Sequence, residues 1–376
     1  MGAASSASTD VKPEEAAAPG AGRDPFFDNA KYLAIVLVAL GHAWSPLTSG
    51  SRTAAALYLV VYAFHMPAFI LISGYFSRSF DASPKRVRSL LTGIAVPYLI
   101  FETAYSLFHR WAAHEPDFAL SPQDPWYLTW FLLSLFVWRL TTPIWKVVRW
   151  PVPLALAVAA SATLNPTILN DLDLQRVLQF LPFFVLGLVL RPEHFELVRR
   201  RAVRIAAVPV FAAALVTAYW AAPRLTTAWF ARTASSVELG QPTWVGPLAT
   251  LAMFALGIVL TACFLAWVPR RHLWFTALGS GTLYGYLLHG FLVQSSREWD
   301  WYAPAWVHTP GGAVAVTVIA AVVVTALCTA PVRWLFRWAV EPRMQWAFRK
   351  PAATATPSAT PVRIPPPAAG GTESGA

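Results

Sequence analysis

Lys31 and His42 stand eleven positions apart in an otherwise apolar stretch, FDNAKYLAIVLVALGHAW. On a helix that separation is about 16 Å of rise and about 20° from three whole turns, so the ammonium and the imidazole share one face. A second histidine, His65, interrupts the next apolar stretch, ALYLVVYAFHMPAFILISGYF, and a carboxylate, Glu102, interrupts the third. Between the second and third lies a tight basic loop with Lys85, Arg86 and Arg88. An imidazole titrates near neutral pH and is suited to taking the proton of an alcohol as it attacks. Clustered cations hold phosphate oxygens through charge-assisted hydrogen bonds. Ionisable side chains in hydrocarbon are costly and are functional candidates by default. Each also has a plainer use. His65 can be an interhelical hydrogen-bond partner, Lys31 can snorkel to the headgroups, Glu102 can pair with an arginine for packing, and Arg139 lies within snorkelling reach of the inner face. His289 is a further candidate of the same kind, and Ser73-Gly74 reads as a close helix contact.

The elements that must position these groups are membrane helices. Of 376 residues, 56% are hydrophobic and 13% charged, against about 25% charged in a soluble domain. Mean hydropathy is +0.48. The expected fold is an all-α, polytopic bundle of about ten spans: 30–48, 53–77, 89–109, 126–145, 150–165, 174–191, 203–222, 244–268, 273–295 and 312–338. Several of the eighteen tryptophans fall near the ends of these stretches, where indole rings favour the interface. The net charge of +10 does not point to nucleic acid, because the basic residues form short clusters between apolar stretches. Alternate connections and the C-terminal flank hold eighteen Lys and Arg, the other connections six. That asymmetry places both termini in the cytoplasm and makes the chain a multi-pass protein of the cell membrane. Residues 1–25 and 346–376 are expected to be disordered cytoplasmic tails around an integral-membrane domain, 26–345. The N-terminal stretch has no basic region leading into an apolar core and is not read as a signal peptide. Cys263 and Cys328 lie inside apolar stretches and offer no disulfide framework or metal-ligand spacing, so no metal is expected.

With this topology, depth can be counted. Lys31 starts the first span at the inner boundary, and His42 lies near the midplane. The second span runs inward and ends near Phe76, eleven residues from His65. The third runs outward from Ser89, with Glu102 thirteen residues in. His42, His65 and Glu102 are therefore expected within a few ångströms of one plane. Either His65 or Glu102 is then placed to hydrogen-bond the other ring nitrogen of His42 and fix its tautomer.

These residues resemble the acyltransferase 3 family of membrane O-acyltransferases. The resemblance rests on Lys31 and His42 as a basic residue, ten intervening residues and a histidine, set in Asp28-Asn29-x-Lys31 and Gly41-His42. Phe64-His65-Met66-Pro67 with Ile72-Ser73-Gly74-Tyr75 resembles the branch of fucose 4-O-acetylase-like proteins. Lys85-Arg86-Val87-Arg88 is similar to the family's Arg-x-x-Arg, with Lys for the first Arg. The resemblance implies acyl transfer from a cytoplasmic acyl-CoA, usually acetyl-CoA, to a hydroxyl of a sugar or glycolipid. It implies His42 as general base, Lys31 along the donor path, and Lys85, Arg86 and Arg88 on the phosphates of CoA. Given the short stretch after the last apolar segment, no fused esterase-like domain of the kind some relatives have is expected. A rival class is a proton-coupled transporter or flippase, with Arg, His and Glu forming a substrate path. The basic segment and the lack of an internal repeat argue against it.

Overall fold

A computed structural model describes residues 24–164 and 171–348, and among them every regular element is helical. Eleven helices carry the architecture: α1 Pro25–Trp44, α2 Arg52–Ser77, α3 Pro84–Ala112, α4 Trp130–Leu140, α5 Pro151–Ala162, α6 Leu174–Val189, α7 Arg201–Ala221, α8 Val245–Trp267, α9 Thr282–Glu298, α10 Pro310–Leu327 and α11 Ala330–Val340. All belong to the unit that runs to Arg343; of the second unit, the described part is Met344–Phe348 with one 3₁₀ turn. Of the tails expected at residues 1–25 and 346–376, residues 1–23 and 349–376 lie outside the described residues, while Pro25 opens α1 and residues 346–347 belong to the 3₁₀ turn.

Each expected span contains a helix, but the lengths differ. Six are long and apolar enough to cross a bilayer: α1 with its 3₁₀ extension to Leu47, α2, α3, α7, α8 and α10. A seventh counts if α6 and the short helix Pro192–Val198, bent by 104° from it, form one broken span. α4 and α5, at 11 and 12 residues, rise only about 16–18 Å and fall short of the ~30 Å hydrocarbon core. The stretch expected at 126–145 shortens because residues 126–129 stay in a loop, with Tyr127 at φ 58°. The stretch expected at 312–338 is interrupted around Cys328–Thr329. Beyond the break, α11 exposes Trp334 and Trp338 beside Arg333 and Arg337, a composition suited to lying in the interface. The basic segment corrects the sequence reading too. It is not a loop: α3 starts at Pro84 and carries Lys85, Arg86 and Arg88 in its first turns, followed by a π turn over Leu91–Ala95.

α2 is the central strut. It packs against α1, α6, α7 and α8, while α1 packs against α2, α9 and α10. Ser51 caps α2 by accepting the Ala54 N–H at 3.2 Å, and Asp24 caps α1 by accepting the Phe26 N–H at 2.9 Å. Gly74 of α2 and Gly187 of α6 meet back to back. A methyl group on either would collide with the backbone of the other helix, the close approach that small residues permit and the one expected at Ser73-Gly74. α7 and α10 show mostly surface, with Val216 and Val322 among their exposed apolar side chains, as a lipid-facing helix requires.

Candidate functional site

Two cavities lie toward opposite ends of α1. The first, about 1050 Å³, is near the N-terminal end and is lined by Lys31, Asp24, Asp28, Arg78, Arg139 and Ser73 among others. Lys31 Nζ pairs with Asp28 Oδ1 at 2.7 Å, one turn earlier on the same helix. Arg78 is fixed by donating from Nε to the Tyr75 carbonyl and from Nη1 to the Leu190 carbonyl, each at 2.9 Å. Arg139 donates from Nε to Ser77 Oγ at 3.1 Å. The second cavity, about 410 Å³, is lined by His42, His65, Tyr58, Tyr62, Tyr127 and Arg297 among others. Met66 and Tyr286 line both cavities, so a thin partition of two side chains separates the Lys31 space from the His42 space.

Two imidazoles, His42 and His65, line the second chamber, and a third, His289, stands behind it with its ring 6.1 Å from that of Tyr286. The His42 and His289 rings are 5.6 Å apart, and Tyr62 stands edge-on to both His42, at 6.2 Å, and His65, at 4.7 Å. His65 Nδ1 lies 2.7 Å from the Val61 carbonyl, and His289 Nδ1 lies 2.9 Å from the Gly285 carbonyl. A carbonyl only accepts, so in both rings Nδ1 carries the proton and Nε2 holds the lone pair. His289 Nε2 is buried without a partner among the described residues. His42 differs: its Nδ1 meets a hydroxyl, Tyr127 Oη, at 3.2 Å. Tyr127 lies outside every helix, and burial pushes its pKa well up while Arg297 pulls the other way. It therefore stays a neutral hydroxyl that can hold one nitrogen of His42 and leave the other free.

Glu102 does not reach His42 or His65, which corrects the expectation that it bonds an imidazole. Its buried carboxylate accepts the Trp126 N–H at 2.9 Å, the Thr129 hydroxyl at 2.5 Å and the Ser106 hydroxyl at 3.4 Å. It thus clamps both sides of Tyr127, whose left-handed φ of 58° is strained for a bulky residue. Leu128 is pinned in turn by the Tyr286 hydroxyl, which donates to its carbonyl at 2.6 Å. The direction in which Glu102 leaves α3 turns it to the loop, which counting residues along the helix did not supply.

The basic segment divides. Arg86 lines a small cavity of about 160 Å³ together with Phe76, Ser79 and Arg139, three residues that also line the Lys31 cavity. Lys85 is exposed and Arg88 half-buried, and neither lines either space. Arg78 and Arg139 enter the cavity wall where the sequence suggested only topology or snorkelling. Tyr127, Arg176 and Arg297 carried no sequence signal for chemistry, because long-range packing alone brings them to His42; Tyr286 stands in Tyr284-x-Tyr286-Leu287-Leu288-His289, a stretch similar to the family, which did not show that it meets the His42 chamber. The arrangement offers a chamber lined by Lys31, Arg78 and Arg139, a second chamber lined by His42 and His65, and two side chains, Met66 and Tyr286, between them.

An acyltransferase-domain family matches residues 24–330, and no curated protein and no solved structure matches. That match covers α1 through the start of α11 and includes every residue of both chambers. A helical membrane protein with this match is a membrane acyltransferase, and the chain belongs to the acyltransferase 3 family.

Proposed function

We propose that the protein moves an acyl group, acetyl in the simplest case, from acyl-CoA to a hydroxyl of a sugar or glycoconjugate across the partition formed by Met66 and Tyr286. The observation that carries this reading is the pair of chambers at opposite ends of α1, one rich in cations and one holding His42. CoA carries its phosphates at one end and its thioester at the end of a thin arm. Arg139 and Arg78 at the first chamber, with Arg86 in the small cavity that shares Phe76, Ser79 and Arg139 with it, hold the phosphates, and Lys85 and Arg88 add positive potential beside them. Lys31 lines the way inward. The thioester carbonyl then reaches the partition, and the acceptor hydroxyl enters from the His42 side.

His42 accepts the hydroxyl proton as the oxygen attacks the carbonyl carbon. The C–O bond forms, the C–S bond breaks, and the thiolate leaves as CoA. The proton on His42 passes to that thiolate, so an ester and free CoA are the products. Tyr127 fixes the His42 ring, Glu102 fixes the Tyr127 loop, and His65 lines the same chamber as a second orienting group. These are positioning roles. A sugar acceptor is supported by the likeness of Phe64-His65-Met66-Pro67 to the fucose 4-O-acetylase-like branch. In this reading α1 to α10 supply the ten membrane elements, both termini are cytoplasmic, the first chamber faces the cytoplasm, and the protein sits in the cell membrane.

The test is purified protein with acetyl-labelled acetyl-CoA. The reading expects label to be released or transferred to added saccharide, and unchanged acetyl-CoA under all conditions would overturn it. A transporter would leave the thioester intact.

A further inference from the structure

The wall of the His42 chamber carries two guanidinium groups and, among the described residues, no carboxylate. Arg176 is partly answered: Nη1 pairs with Asp173 at 2.5 Å, and Nε donates to the Ala231 carbonyl at 3.2 Å. Arg297, in the last turn of α9, is different. Among the described residues its guanidinium has no ion pair and no hydrogen bond; its ring neighbour is Tyr127, whose centroid lies 5.5 Å from the guanidinium carbon. Tyr127 is the residue whose hydroxyl meets His42 Nδ1. An unanswered positive charge therefore stands one side chain away from the imidazole.

Arg297 is exposed, where solvent answers a charge at little cost. A ligand that fills about 410 Å³ displaces much of that water. A neutral ligand would leave the guanidinium desolvated against an aromatic face, and a charge that loses its water without gaining a partner is penalised. An anionic ligand replaces the water with charge-assisted hydrogen bonds in the planar fork geometry that carboxylates and phosphates match. The rest of the wall suits a sugar ring: Tyr58 and Tyr62 are stacked at 3.9 Å between centroids and give the chamber a flat aromatic side. The chamber is at the small end of the ~300–1,000 Å³ range of ligand sites, so the charged group and the reacting hydroxyl belong to one compact unit.

We propose that the acceptor is an anionic glycan, a sugar unit bearing a carboxylate or a phosphate ester, and that Arg297 with Arg176 holds its charge so that a hydroxyl meets His42. The inference rests on the reading of this chamber as the acceptor side. It adds the chemical class of acceptor, which the acyl-transfer reading leaves open.

The test is a binding measurement on the full chain in nanodiscs of zwitterionic lipid. Three probes share one ring: methyl β-glucuronide, methyl β-glucoside 6-phosphate and neutral methyl β-glucoside. Affinities are read by calorimetry. The charged probes are expected to bind roughly tenfold or more tighter than the neutral one, with the advantage shrinking as salt rises. Arg297→Gln should abolish the preference, and Arg297→Lys should retain part of it, which separates loss of charge from loss of shape. Melting temperatures of both variants report whether the fold is kept. Equal binding of neutral and charged probes, no saturable binding of either charged probe, or a charge preference that survives Arg297→Gln each overturns the proposal. Acetyl-CoA consumption is measured separately in the same nanodiscs. Turnover without charge preference removes this inference alone, whereas charge preference without turnover removes the acyl-transfer reading and leaves an anion-binding chamber whose ligand is not an acyl acceptor.

Discussion

At the scale of single residues, the account turns on His42 and the two side chains behind it. A general base contributes about a hundredfold or more in rate, so His42→Ala is expected to cost at least that in acyl transfer at matched levels of folded protein. Tyr127→Phe removes the hydroxyl at 3.2 Å from His42 Nδ1 and keeps the ring beneath Arg297. It should lower kcat by roughly tenfold, the scale of one lost hydrogen bond, and leave the KM for acyl-CoA unchanged; a changed KM with kcat intact would assign Tyr127 to donor binding instead. Glu102→Gln keeps one acceptor oxygen for the loop and should be milder than Glu102→Ala. The legible residues here were those whose cost is local. Lys31, His42, His65 and Glu102 are polar groups in apolar stretches, and their spacing along a helix is fixed by the backbone. What they touch was not legible. The partners of Glu102, Trp126 and Thr129, are set by its direction on α3 and by a loop that has no periodicity.

At the scale of elements, the contact between α2 and α6 sets the floor of the site. α2 carries His65, Met66 and Gly74 on one helix, so its seating against Gly187 fixes the partition as well as the core. Gly74→Leu forces the two backbones apart and is expected to cost at least about 2 kcal/mol, read as a lower melting temperature in detergent, with activity lost through displacement of His65 and Met66. An unchanged melting temperature would show that the two helices can separate freely. Helix positions followed from apolar length, and each expected span does contain a helix. Helix ends were harder. α4 begins four residues late because Glu102 holds Trp126–Thr129 in a turn, and α10 stops at Leu327 because Pro331 and Thr329 start α11 afresh. The basic stretch looked like a loop, although Ser83-Pro84 is a good helix start in which proline supplies N1.

At the scale of the whole molecule, the central feature is access from two ends of α1 to one partition. Met66→Trp enlarges a side chain that lines both chambers. It should block transfer while acyl-CoA binding at the cationic chamber persists; loss of donor binding alone would place the donor elsewhere. The eighteen-to-six division of basic residues calls for a cytoplasmic first chamber, so reporter fusions after Pro122 and after Arg232 should report the outer side. The family was legible because its motifs lie within a short N-terminal stretch. The chambers were not, since they combine α1, α2, α4, α9 and the 125–129 loop across the full sequence.

The most direct measurement compares wild type and His42→Ala, both purified and matched by melting temperature, for consumption of acetyl-labelled acetyl-CoA with and without saccharide. The account predicts label released or transferred by wild type and a loss of about a hundredfold or more in the variant, with acetyl-CoA binding retained because the cationic chamber is untouched. Near-normal turnover by well-folded His42→Ala would contradict it and would move the chemistry to His65 or His289.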